Sequence, residues 1–103
     1  MIRSRALSEH ARRVLSALLD ARKDWSHGYE LCRLTGVKSG TLYPLLIRLE
    51  AKGYLEARWR QPEQGGRPPR HVYRLTASGL VLARNNPPVA SRGRARFGKD
   101  ALA

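Results

Sequence analysis

The chain has 103 residues, room for one domain and a tail, and its 42% hydrophobic share fits a folded core rather than a disordered chain. Twenty Lys and Arg against eight Asp and Glu leave a net charge of +12, an excess whose self-repulsion is ordinarily offset by a polyanionic partner. The single cysteine, Cys32, excludes an intramolecular disulfide. There is no apolar run long enough to span a membrane, and the start M-I-R-S-R-A-L lacks a signal-peptide core; the expectation is a cytoplasmic protein without a membrane partner.

In chain order, Ser8 can cap a first helix and Glu9 suits its positive end. Val14, Leu15, Leu18 and Leu19 make one apolar stripe, and the helix is expected to end near Asp24. Trp25 starts a connection, and Ser26 or His27 opens a second helix through about Leu34. Its buried contacts are expected from Tyr29, Leu31, Cys32 and Leu34, with Cys32 packed as a small apolar residue. Gly36 is a natural stop, because glycine takes a left-handed C-terminal conformation cheaply.

The stretch from Val37, holding a third helix that ends near Lys52, organises the rest. Ser39, Gly40 and Thr41 form a small, hydroxyl-rich opening that can cap it. Leu42, Leu45, Leu46 and Leu49 then fall on one face at i, i+3, i+4 and i+7. The opposite face holds Gly40, Thr41, Tyr43, Pro44, Ile47, Arg48 and Ala51, small, hydroxylated or basic and without an acid in its middle. A solvated face normally mixes charges, so this one is prepared to lie against a partner. Pro44 is tolerable only near the start of the helix, so the start is placed at 39 to 41 with local distortion. Two helices joined by the tight turn T-G-V-K-S match a helix-turn-helix, whose second member reads DNA.

After Gly53 the period changes to two. Leu55, Ala57 and Trp59 alternate with Glu56, Arg58 and Arg60 in one strand, and His71, Tyr73 and Leu75 with Val72 and Arg74 in another. Between them Q-P-E-Q-G-G-R-P-P makes a long flexible tip, so the pair forms a wing. Thr76 can cap a last short helix, 77 to about 85, carrying Leu80, Leu82 and Ala83, and Asn85-Asn86-Pro87-Pro88 stops it. The reading is a mainly α chain with a small β-hairpin (an α+β winged helix-turn-helix, α1-α2-α3-β-β-α4): a domain over 1–86 and a basic, disordered tail over 87–103.

G-Y-E-L at 28–31, S-G-T-L-Y-P-L-L-I-R-L-E-A-K-G-Y-L at 39–55 and H-V-Y-R-L-T-A-S-G at 71–79, in that order, resemble the PadR family of bacterial transcriptional regulators over about residues 8–84. The resemblance implies a homodimeric repressor on a pseudo-palindromic operator, its third helix in the major groove and its wing on the backbone or minor groove. By position, Ser39, Gly40, Thr41, Tyr43, Pro44 and Arg48 then carry the contact, and the wing adds its basic residues. Family members usually continue into a long C-terminal helix that builds the dimer and often an effector pocket. Here Asn85-Asn86-Pro87-Pro88 interrupts the chain at that point, so the expected dimer interface passes to the first or fourth helix, and a small-molecule effector is left unsupported.

Residue by residue, Ser39 and Thr41 can bond phosphate oxygens at a helix N-terminus, or one of them merely caps it. Tyr43 can meet a phosphate or a thymine methyl, or pack inward. Arg48 can read guanine O6 and N7, or touch a phosphate or a surface acid. Lys38 at the turn suits a phosphate. On the wing, Arg58, Arg60, Arg67, Arg70 and Arg74 face one acid, Glu63; Arg67 between Gly66 and Pro68 can reach a narrow minor groove, and the alternative is a solvated charge run. Trp59 is expected in the core or at the wing base rather than as a base-stacking platform. S-R-G-R-A-R at 91–96 suits non-specific phosphate affinity more than groove insertion.

His10, His27 and His71 are scattered, and Gly65-Gly66 lacks the pattern of a phosphate-binding loop. No catalytic dyad, cofactor or metal site follows, so the chain is not expected to be an enzyme. Two competing classes are a winged helix used as a protein adaptor and a basic RNA-binding protein; exposed aromatic pairs on the strands, which RNA binding favours, are not expected.

Overall fold

The Ser8 hydroxyl accepts the Ala11 N–H at 3.1 Å and opens α1, Glu9–Ala21, in a computed structural model that describes residues 7–89 apart from 23, 62–64 and 67. The helix stops before Asp24 because Arg22 turns to a positive φ of 58° and its N–H folds back to the Leu19 carbonyl at 3.1 Å. Ser26–His27 is a short strand, β1, which the sequence reading missed. Two residues carry no period, and only pairing with a distant strand makes them one.

The second helix, α2, is Gly28–Thr35, capped by the His27 ring nitrogen Nδ1, which accepts the Glu30 N–H at 3.4 Å. Its buried residues are Gly28 and Leu31, with Cys32 half-buried. Tyr29 and Leu34, expected inside, are 71% and 56% exposed. A helix this short buries one stripe at i, i+3 and i+4, and Gly28, Leu31, Cys32 and Thr35 form it; positions 29 and 34 lie off it. Gly36 closes α2 with φ 76°. The Thr35 hydroxyl then donates to the Leu31 carbonyl at 2.6 Å and accepts the Val37 N–H at 3.1 Å, which sets the turn and drives Val37 into the core.

The third helix, α3, is Ser39–Ala51, with all four leucines of its stripe buried. Its N-cap position falls to Lys38, which makes no side-chain bond. Ser39 and Thr41 therefore stand inside the helix and do not cap it. Pro44 is in the second turn, further in than the first-turn placement expected for it. It removes the N–H that would have met the Gly40 carbonyl, and glycine at that place gives the ring room. Gly53, with φ 86°, turns the chain into β2.

β2 is Leu55–Arg60 and β3 is Arg70–Leu75, antiparallel in a sheet of order β1-β3-β2. The hairpin is thus two strands of a three-stranded sheet, with Ser26 opposite Tyr73 and His27 opposite Val72. Thr76 caps α4, Ala77–Asn85, by accepting the Gly79 N–H at 3.1 Å, and donates to the Gly53 carbonyl at 2.7 Å. Pro87–Val89 then folds back on α1: Arg12 donates to the Pro87 carbonyl at 3.2 Å and the Val89 N–H to Glu9 at 3.3 Å. The rest of the expected tail, 90–103, lies outside the described residues.

Leucines of α1, α2 and α3 meet Leu55, Tyr73 and Leu75 of the sheet and Ala83 of α4 in one core. Leu15, Leu18, Leu31, Leu42 and Leu46 are wholly buried, each adding about 1.5–3 kcal/mol over exposure.

Candidate nucleic-acid interface

With its leucine stripe inward, α3 turns the other face to solvent. Lys38, Ser39, Gly40, Thr41, Tyr43, Pro44, Ile47 and Arg48 are all exposed. The first acid, Glu50, comes only in the last turn. An uncapped helix start keeps N–H groups free for an anion, and the helix dipole adds partial positive charge there. The structure therefore brings together every candidate that the sequence placed on this helix.

Tyr43 is tethered. Its hydroxyl end lies against the Cα of Gly28, where any side chain would collide with the ring, yet the residue keeps 40% of its surface. Below it, burial pushes the Tyr73 phenol above its ordinary value, with Tyr43 and Glu50 adding to the rise. Tyr73 therefore stays protonated and neutral at any working pH.

The wing divides its residues between two faces. Leu55, Ala57 and Trp59 oppose Leu75, Tyr73 and His71 on the core side, and Glu56, Arg58 and Arg60 oppose Arg74, Val72 and Arg70 on the other. Arg58, Arg60, Arg70 and Arg74 thus leave the sheet from the face opposite the core. Two of them are engaged: the guanidiniums of Arg58 and Arg74 each lie 4.4 Å from the centre of the Trp25 ring, a cation–π geometry. Arg74 also pairs with Glu56 at 3.5 Å. Arg60 and Arg70, opposite one another at the outer end, are exposed. Arg67 lies outside the described residues.

Trp59 corrects the sequence reading. It is 65% exposed rather than in the core, and its ring lies 3.9 Å from that of His71, centre to centre. His71 meets Tyr73 edge-on at 5.9 Å. The sheet's inner face runs out past the core, so the alternation that buries Leu55 leaves Trp59 uncovered. An exposed aromatic pair on the strands therefore exists, contrary to expectation, so its absence does not count against RNA binding.

Trp25, Thr35 and Gly28 also shape the site without having been assigned a role from sequence. The register of the hairpin, with Trp59 facing His71, was the one signal that could have found the aromatic pair. Acidic residues gather away from α3: Asp20, Asp24 and Glu30 line a cavity of about 570 Å³ with Trp25, Ser26 and Arg60, so of the wing candidates Arg60 borders the acids, and no residue of α3 does. Among the described residues no group of His, Cys, Asp and Glu could hold a metal ion, and no helix is long and apolar enough to cross a membrane.

The model of the PadR-like transcriptional regulator family matches residues 14–85, more than half of the chain. A PadR-like transcription factor from Bacteroides fragilis is similar in structure, with 28% identity, a TM-score of 0.55, and 91% of this chain and 92% of that one covered. A PadR family regulator from Eggerthella lenta gives 28% identity and a TM-score of 0.61, covering 91% and 80%. The PcaV regulator of Streptomyces coelicolor, solved with its natural ligand, shares the fold at 23% identity and a TM-score of 0.68 over 93% of this chain; this chain spans 64% of that protein's length. No curated protein matches the sequence.

Proposed function

We propose a function from one premise: the chain belongs to the PadR-like family of transcriptional regulators. It binds double-stranded DNA in a sequence-specific way, as a dimeric repressor, with α3 in the major groove and the wing on the backbone or minor groove. The observation that carries this is the outer face of α3, exposed from Lys38 to Arg48, free of acid, and held rigid by a fully buried leucine stripe. Lys38, Ser39, Gly40 and Thr41 meet phosphates at the open helix start. Tyr43, Pro44 and Arg48 face the groove, and Arg48 is the one side chain among them with a fork that fits guanine.

On the wing, Arg60, Arg70 and Arg67 meet phosphates near the tip. Arg58 and Arg74 take part only by giving up Trp25, so their share is smaller. The dimer forms through α1 or α4, where Val81 is exposed.

Selection of bound duplexes from random DNA tests the reading. The expected product is an inverted repeat with half-sites about one turn, ~34 Å, apart. Arg48→Ala should relax the preference at one position per half-site and cost about 1–3 kcal/mol on the selected duplex. Recovery of no preferred sequence would overturn sequence-specific recognition; an unrepeated site would overturn the dimer alone.

A further inference from the structure

The face of the sheet on which the core is built does not end where the core ends. It runs from Tyr73, 5% exposed and rooted beside Tyr43 of α3, through His71 to Trp59, and the last two stack in the open. Tyr43 of α3, also partly exposed, lies close enough to Tyr73 to help raise its phenol. Among the described residues no apolar side chain closes over the indole, which is 65% exposed and stacked on an exposed imidazole; together the two rings make an apolar patch rather than a lone exposed residue. We propose that Trp59 and His71 form an aromatic ledge that contacts the same duplex DNA as α3, packing on deoxyribose where the wing meets a groove.

This rests on the DNA-binding reading and changes how the wing works within it. Alternation sends Arg58, Arg60, Arg70 and Arg74 to the opposite face. The α3 side of the wing therefore presents rings rather than charge, and the arginines at its outer end attract phosphates from the flank. Two features favour DNA over a protein partner as the occupant. The ledge is rooted in Tyr73, which lies beside Tyr43 of α3, and the sequence from Arg58 to Lys99, to which both ledge residues belong, carries ten Lys and Arg against one acid. Contacts to deoxyribose are sequence-tolerant, since every nucleotide carries the same sugar. The ledge therefore contributes affinity and wing placement, leaving base choice to α3.

The chain has two tryptophans, so Trp25→Phe leaves Trp59 as the sole indole emitter. In that variant acrylamide should quench Trp59 readily when free, and a saturating duplex selected by the full chain should shield it. Should Trp25→Phe disturb the fold, 5-fluorotryptophan in the unaltered chain gives two ¹⁹F resonances, and the one that Trp59→Phe removes should shift with duplex. Trp59→Ala should weaken duplex binding roughly tenfold across sequences, leaving the selected consensus intact, and Trp59→Phe should recover most of the loss. Duplex binding with Trp59 unshielded and Trp59→Ala neutral would overturn the ledge and leave the α3 reading standing. Absence of duplex binding would overturn both. Shielding by single-stranded RNA at lower concentration than by duplex would overturn the DNA assignment of the ledge.

Discussion

The pairing of Tyr43 with Gly28 ties the proposed recognition surface to the fold through a single missing side chain. Glycine at 28 is required by close approach: an added methyl meets the Tyr43 hydroxyl end. Because that hydroxyl belongs to a half-exposed side chain, the ring can swing away rather than break the backbone. Gly28→Ala should therefore cost only about 1–2 kcal/mol in a denaturant melt, and it should weaken duplex binding as much as Tyr43→Ala does. Combined, the two changes should be far less than additive. Simple additivity in binding would mean that the Tyr43 position does not depend on Gly28.

Between α2 and α3 the turn is set by one hydroxyl. Thr35 bonds the Leu31 carbonyl and the Val37 N–H together, so the angle between the two helices depends on a side chain as well as on Gly36. Thr35→Val keeps the shape and loses both bonds. It should lower stability by about 1–2 kcal/mol, since the Val37 N–H beside the core loses its partner, with Thr35→Ser close to the parent in the same thermal melt. The same scale explains how Pro44 persists in α3. Its lost bond falls on the solvent side, at Gly40, while the leucine stripe on the other side keeps every contact.

Across the whole molecule, charge is unevenly spent. Acids collect around the cavity beside α1 and α2, which Arg60 of the wing also borders, the α3 face has none before Glu50, and the wing adds exposed Arg70 at its outer end. If about six phosphates are neutralised, duplex affinity should fall ~10³-fold between 50 and 200 mM salt, measured by fluorescence anisotropy. A flat titration would show that the excess charge serves another purpose. Removing Arg60 and Arg70 together should reduce the slope of log affinity on log salt by roughly two contacts' worth, and Arg58→Ala by less, because its guanidinium already rests on Trp25.

Much of this protein was legible before any coordinates. The leucine spacing of α3, the Gly36 stop, the Ser8 and Thr76 caps and the two alternating strands are local signals, because helix period, strand period and capping depend on neighbours within four residues. Burial of Tyr29 and Leu34 was misread because a two-turn helix has room for one stripe, and which one faces inward depends on what packs against it. β1, the Trp25 stack on Arg58 and Arg74, the seat of Tyr43 on Gly28 and the exposure of Trp59 were all out of reach. Each joins residues far apart in the chain, and whether a strand's inner face is covered depends on where the rest of the core stops. The sequence alone determined that α3 keeps one face free of acid outside its leucine stripe, because helical period depends on residues within one turn or two; only the tertiary structure decided that Trp59 and His71 end uncovered on the sheet's inner face while the wing arginines leave from the other, because that depends on where the core stops.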